Sequence, residues 1–297
     1  VTSTMRMHTA TARIKQRVMT LRQRITPPSA SVTDFRAADF ESPKASRMLC
    51  CCLIGPTNAG KSTLLNALID SPVSIVSDKI HTTRDNTLGY LTDDRTGAQV
   101  QFIDAPGALG PHVPALRRSI WDATHRASLA LVVLDASDSR THVQCAGFLR
   151  QLAALIREQE ASGSQRTQTV LVLNKVDRVS PKERLLQISK SLHSVHSFDW
   201  PCLMVSALHG GGVRQLRDWL LLMSKPGKWS MPKHIKHDQP PLQQATEIIR
   251  AEIFRYFRQE LPYLISQRNI GWTELRNGQL RIDQQLVVPN KRRSTAQ

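Results

Sequence analysis

The chain has 297 residues, 40% of them apolar, which is enough for one α/β domain of ordinary size with a smaller unit beside it. Lys and Arg number 40 against 24 Asp and Glu, a formal net charge of +16. No stretch approaches the roughly 18 uninterrupted apolar residues of a membrane helix, so a membrane span is excluded and the hydrophobic runs read as core strands and helices.

The positive charge is uneven. Residues 1–49 hold nine basic against three acidic side chains, residues 50–224 eighteen against fifteen, and residues 225–297 thirteen against six. A surplus at both ends suits segments that neutralise nucleic-acid phosphates, with simple solubility charge as the plainer reading. The first 33 residues contain six Arg or Lys, no acid and many Ser and Thr, and Ile14, Val18, Leu21 and Ile25 recur at helical spacing. That is the make-up of a mitochondrial presequence and equally of a basic helix laid on RNA. Numbering that begins at Val1 suggests a processed or trimmed start. Pro27 and Pro28 end the helical pattern, and residues 1–48 as a whole read as a basic extension.

From residue 49 the pattern alternates strand and helix. Residues 48–54, 100–103, 129–134, 169–173 and 202–205 are short apolar runs typical of buried parallel strands, and residues 63–69, 145–159, 182–192 and 213–223 are helical by period. Alternation of this kind predicts a doubly wound sheet that binds ligands beyond the carboxyl ends of its strands. Five cysteines form no C-x-x-C pair, and Cys50, Cys51 and Cys52 fall in the first strand, as small core hydrophobes of a reducing compartment. The spaced pairs His193/His196 and His234/His237 lack the Cys or acid partners of a metal site and read as solvated histidines. Residues 225–241, rich in Pro, Lys and His, read as a linker. After it residue 242 opens an amphipathic helix with Leu242, Ala245, Ile248, Ile249, Ile253 and Phe257 on one face. Residues 280–288 form a last strand-like run.

The chemistry lies in four motifs. Gly55-Pro56-Thr57-Asn58-Ala59-Gly60-Lys61-Ser62 fits G-x-x-x-x-G-K-[ST] between a predicted strand and a predicted helix, followed by Thr63. Loop N–H groups, including those of Ala59 and Gly60, would face phosphates, Lys61 would reach the terminal phosphate oxygens, and the Ser62 hydroxyl would join a Mg²⁺ shell. Asp104-Ala105-Pro106-Gly107 follows an apolar run, where Asp104 would hold Mg²⁺ through water and the Gly107 N–H would sense the γ-phosphate. Asn174-Lys175-Val176-Asp177 confers guanine selectivity, because the Asp177 carboxylate can accept both the ring N–H and the amino group of guanine, a pair adenine lacks. Ser206-Ala207-Leu208, at the end of the next strand, would supply an N–H to the guanine carbonyl. Between the first two motifs, His81-Thr82-Thr83-Arg84 lies in a polar loop, where one threonine, with Thr83 favoured, would close over Mg²⁺ and the γ-phosphate of GTP. An ordinary capping threonine is the plainer reading of either residue alone.

With these residues in hand, the sequence resembles the Era family of GTPases, and especially its mitochondrial branch. The resemblance rests on P-T-N-A-G-K-S-T-L-L-N, the segment 76–84 with H-T-T-R, D-A-P-G and N-K-V-D, and it continues through Glu247-Ile248-Ile249-Arg250 and Gln259-Glu260-Leu261-Pro262-Tyr263. It implies an α/β fold, a doubly wound P-loop GTPase domain over residues 49–224, followed from 242 to 297 by a partial α+β KH-like RNA-binding domain. It also implies a monomeric, GTP-hydrolysing factor of the mitochondrial matrix that binds the rRNA of the assembling small ribosomal subunit, alongside other assembly factors. The chain departs from the family in D-A-P-G, in its long basic arm, and in stopping where the KH domain's G-x-x-G loop should follow. The residue after Gly107 is Ala108, whose methyl cannot orient an attacking water. The resemblance offers a remedy, a K⁺ ion held with the help of Asn58, while Asn58 bracing its own loop is the alternative. Rival readings of the whole are a GTP-binding scaffold of a ribosomal particle that hydrolyses little, and a related GTPase of tRNA modification.

Overall fold

The protein is described from a computed structural model covering residues 40–71, 87–105, 114–138, 141–238, 241–257, 264–275 and 279–288. Its larger compact unit, residues 33–239, is built on one mixed sheet. In chain order its elements are β1 (Arg47–Ile54), α1 (Lys61–Ile69), β2 (Thr87–Asp93), β3 (Ala98–Asp104), α2 (Pro114–Arg126), β4 (Leu129–Asp135), α3 (Thr141–Ala161), β5 (Gln168–Asn174), α4 (Arg184–Val195), β6 (Trp200–Met204), α5 (Val213–Met223) and the short β7 (Lys225–Pro226). The sheet order is β2-β3-β1-β4-β5-β6, parallel except for β2, which runs against β3.

The apolar runs are strands because both their faces are covered. Along β1, Cys51 and Leu53 enter one core with Leu64, Leu68 and Leu220, while Cys52 and Ile54 enter the opposite core with Ile120, Leu149 and Leu152. The cysteines therefore serve as small core side chains, and burial raises the Cys50 thiol to about 11. With helices on both faces, every parallel strand delivers its carboxyl end to the same rim. Gly55, Asp104, Asp135 and Asn174 stand at the ends of β1, β3, β4 and β5.

Three features of this unit go beyond the sequence pattern. β2 is an antiparallel edge strand that pairs with all of β3, from Thr87 opposite Asp104 to Asp93 opposite Ala98. α2 covers the sheet with Ile120 and Ala123 buried and Trp121 packed beside them. The segment after α5, read as a linker, is bound to the sheet margin: β7 pairs with Arg47 and Met48, and the Trp229 indole donates to Gly97 O at 2.9 Å. The buried Gln99 amide bonds Ser230 N, Met231 N and Met231 O at 2.9, 3.2 and 2.8 Å. Prolines prevent this segment from forming a long strand or helix, yet its backbone groups still find partners, as buried backbone must.

The second unit is a helix and a hairpin: α6 (Pro241–Tyr256), β8 (Ser266–Glu274) and β9 (Leu280–Val287), the two strands antiparallel with a bulge between Asn269 and Gly271. Ile249 and Ile253 of α6 pack with Ile265 and Phe257. Gln267 donates to Thr246 O at 3.1 Å, and Gln284 donates to the Thr246 hydroxyl at 3.2 Å, tying helix to hairpin. Leu242, expected on the apolar face, is exposed because it stands in the first turn of α6, ahead of that core. The basic arm over residues 1–39, the turn at 259–263 and the terminal basic cluster at 291–293 lie outside the described residues.

Candidate nucleotide site

The loop between β1 and α1 is shaped by two glycines. Gly55 has φ 150°, and a Cβ there would lie 2.1 Å from Val133 O, while at Gly60, φ 90°, it would lie 2.3 Å from Asn174 Nδ2. No side chain fits at either place, so the backbone itself lines the cradle. α1 starts directly after Gly60 with no acidic residue in its first turn, leaving the positive end of the helix dipole uncompensated toward the loop.

Lys61 is buried and its ammonium donates to Gly55 O at 3.1 Å and Pro56 O at 2.9 Å. Burial lowers its pKa to about 8, partly offset by Asp104. A phosphate in the cradle would restore the charge. Nucleotide binding is therefore expected to take up a proton on Lys61, the more so as pH rises through about 8, so that affinity weakens above that pH. Calorimetric titration in buffers of different ionisation enthalpy measures this uptake directly, and an uptake that stays at zero at pH 8 would contradict it.

Ser62 Oγ donates to Asp104 Oδ2 at 2.8 Å, and the Asp104 side chain is fully buried at the end of β3. A hydroxyl and a carboxylate side by side are hard oxygen donors of the kind Mg²⁺ takes, and together with the glycine cradle they fit a Mg²⁺–nucleotide. Thr63 follows, half-buried, in α1. Thr83 and Gly107 lie outside the described residues.

On the opposite side of the loop one side chain joins three motifs. Asn174 Nδ2 donates to Ala59 O at 2.9 Å, and its Oδ1 accepts from Lys175 N at 2.8 Å and Ala207 N at 3.0 Å. The N–H of Ala207, one of those the Ser206-Ala207-Leu208 turn could offer the guanine carbonyl, is thus bonded to Asn174. Leu208 beside it is exposed. Lys175, at φ 60°, donates to Asn58 O and to Asp135 Oδ2, each at 2.7 Å. Burial raises the Asp135 carboxyl, but hydrogen bonds from Lys175 and Ser137 outweigh it and hold the pKa below the usual range. Asp135 was not singled out from the sequence, although a carboxylate ending an apolar run, as Asp104 does, was the available signal. Asp177 accepts from Ser206 Oγ at 2.6 Å, a bond that lowers its pKa, so it is ionised at neutral pH. Asn58 itself is exposed at φ 61°.

The arrangement can hold a polyphosphate with its metal at one end and read a base at the other. Known proteins agree with that geometry. The family described as "50S ribosome-binding GTPase" matches residues 50–175. The chain is 36% identical over 239 residues to GTPase Era of a Bradyrhizobium species, covering 80% of this chain and 73% of that protein. It is 35% identical to GTPase Era of Brucella melitensis, over 80% and 72% of the two. Among solved structures it is similar to Era in complex with MgGDPNP and nucleotides 1506–1542 of 16S ribosomal RNA, with TM-score 0.68 and 25% identity over 83% of this chain and 80% of that one. The fold is also that of an Aquifex aeolicus Era variant bound to GDP and aluminium fluoride, with TM-score 0.67 and 24% identity over 82% and 80%.

Proposed function

Because the chain belongs to the Era family of GTPases, we propose that it binds small-subunit ribosomal RNA and hydrolyses GTP in ribosome assembly, working in the mitochondrial matrix. The observation that carries this reading is the Asn174 bracket, which brings the phosphate loop, the guanine-reading Asp177 and the Ser206 strand end into one site. The family description that mentions the 50S particle concerns only the GTPase half. The small-subunit reading rests on the longer match, which runs past that half, and on the solved complex with 16S RNA.

In this reading the loop N–H groups and Lys61 hold the phosphates, Ser62 and Asp104 hold Mg²⁺, and Thr83 and Gly107 answer to the γ-phosphate. When bound, Mg²⁺ neutralises charge on the β- and γ-phosphoryl oxygens. The guanine is read by Asp177, with Asn174, Lys175 and the Ser206-Ala207-Leu208 turn setting the walls. The helix-hairpin unit is read as KH-like and RNA-binding. The mitochondrial assignment is supported by the acid-free, Arg-rich and Ser/Thr-rich first 33 residues. Crosslinking the protein in its own compartment and sequencing the attached RNA tests the partner: small-subunit rRNA is expected, and enrichment of tRNA alone would overturn the reading.

With Ala108 unable to orient water, we propose that K⁺ held near Asn58 offsets charge on the β–γ bridging oxygen. The exposed position of Asn58 on the loop, with its backbone oxygen fixed by Lys175, supports this. GTP turnover is expected to be at least about tenfold faster in K⁺ than in Na⁺ at equal ionic strength, and Asn58→Ala is expected to abolish the difference. Equal rates in both salts would remove the ion.

A further inference from the structure

Asp135 ends β4 on the rim that carries the nucleotide site, opposite Asn174 in the pairing of β4 with β5. Both of its carboxylate oxygens are engaged. Oδ1 accepts from the N–H and the hydroxyl of Ser137, at 2.9 and 2.6 Å, and Oδ2 accepts from the Lys175 ammonium at 2.7 Å. Lys175 is fixed at three further points. Its N–H donates to Asn174 Oδ1 at 2.8 Å, its carbonyl accepts from Arg178 N at 3.0 Å, and its ammonium donates to Asn58 O at 2.7 Å. Its backbone lies at φ 60°, a left-handed conformation that a residue with a Cβ adopts only where its surroundings hold it. The stem of Lys175 therefore spans from the end of β5 to the phosphate loop, two residues before Asp177.

Folding stability does not account for the Asp135–Lys175 pair. The lysine and aspartate side chains are 25% and 21% exposed, and an ion pair in such contact with water contributes little. Its effect on geometry is larger, because a lysine stem is long and flexible and an ammonium without a fixed partner samples many positions. We propose that Asp135 is a positioning residue for the guanine nucleotide: by holding the Lys175 ammonium against Asn58 O, it keeps the lysine stem in place as a wall of the base site. The proposal rests on the GTPase reading, in which Lys175 borders the guanine, and adds to it a residue that acts through Lys175 alone. Because that wall borders the base, GTP and GDP depend on it equally.

The test measures binding of GDPNP and of GDP with Mg²⁺ by the full chain, for Asp135→Ala, Asp135→Asn, Lys175→Ala and the double variant Asp135→Ala/Lys175→Ala, together with thermal unfolding without nucleotide. Asp135→Ala is expected to weaken both nucleotides by the same factor, about tenfold, with an unfolding midpoint within about 2 °C of the parent. Asp135→Asn keeps the size and one acceptor oxygen, and is expected to give a smaller loss for both. Lys175→Ala is expected to lose at least as much as Asp135→Ala, and in that background removing Asp135 is expected to have no further effect, because the residue it positions is gone. An undiminished Asp135→Ala loss in the Lys175→Ala background, no loss in the single variant, a loss confined to GDPNP, or a midpoint lower by about 5 °C or more would overturn the proposal and leave the GTPase reading standing. Failure of the unaltered protein to bind either nucleotide would overturn that reading as well.

Discussion

Asp177→Asn is expected to weaken GTP binding about hundredfold to thousandfold and to make XTP the preferred nucleotide. The carboxylate accepts two hydrogen bonds from guanine, the ring N–H and the exocyclic amine. An amide offers one acceptor and one donor, and its N–H₂ group would meet the guanine amine donor to donor. Xanthine carries a carbonyl where guanine carries that amine, so the same change that repels guanine suits xanthine. Losing one charge-assisted bond costs about 1.5–3 kcal/mol, and the donor–donor clash that replaces it adds roughly 1 kcal/mol, which together set the range. The Ser206 hydroxyl at 2.6 Å already fixes one carboxylate oxygen, so the side chain is oriented before the base arrives. Fluorescence titration with labelled GTP and XTP measures both affinities, and an unchanged GTP-to-XTP ratio would remove Asp177 from the base.

Asn174→Ala is expected to have a different signature, with loss of stability and loss of affinity for every nucleotide. The buried amide bridges Ala59 O and Ala207 N, residues from the phosphate loop and from the turn after β6. Removing it leaves a buried carbonyl and a buried N–H without that partner, a loss of about 2–4 kcal/mol. For a unit of this size that is a fall of about 5–12 °C in the unfolding midpoint. In the Asp177→Asn background XTP binding should fall as well, because the cradle itself loosens. Thermal unfolding together with the two-nucleotide titration separates the roles: rescue by XTP marks a base contact, and its absence marks the bracket. A variant with the parent's unfolding midpoint and a weakened GTP affinity alone would show that Asn174 reads the base and braces nothing.

The difference between these two residues shows what could be read from the sequence. The β1 run, buried on both faces, and the glycine-rich loop after it are local signals, and residues 48–54 read as a strand with the site at its end. Val213–Met223 likewise forms a helix where its period predicts one. Asn174 was readable as part of a guanine motif, but not as a bracket, because its partners stand 115 and 33 residues away. Lys175 is similar: its partners Asn58 and Asp135 belong to other strand ends and meet it only once the parallel sheet is assembled. β2 escaped because Thr-Leu-Gly-Tyr-Leu-Thr-Asp is an edge strand of mixed polarity, held by its pairing with β3 rather than by a continuous apolar run. β8 escaped because its bulge breaks the two-residue alternation at Ile270. The bound segment after α5 answers to one fully buried polar side chain of β3, Gln99. A fully buried amide in such a place needs partners from another segment, and Ser230 and Met231 provide them.

One site that binds guanine nucleotide and hydrolyses GTP is expected to respond to the small ribosomal subunit. Phosphate release from GTP by the full chain, followed in K⁺ and Mg²⁺ with and without purified small ribosomal subunits and in the presence of tenfold excess ATP, tests it most directly. Turnover is expected to be slow alone, faster with the subunits, and not inhibited by ATP. Turnover that ATP suppresses would rule out guanine selectivity, and turnover that small subunits leave unchanged while large subunits raise it would rule out the small-subunit partner.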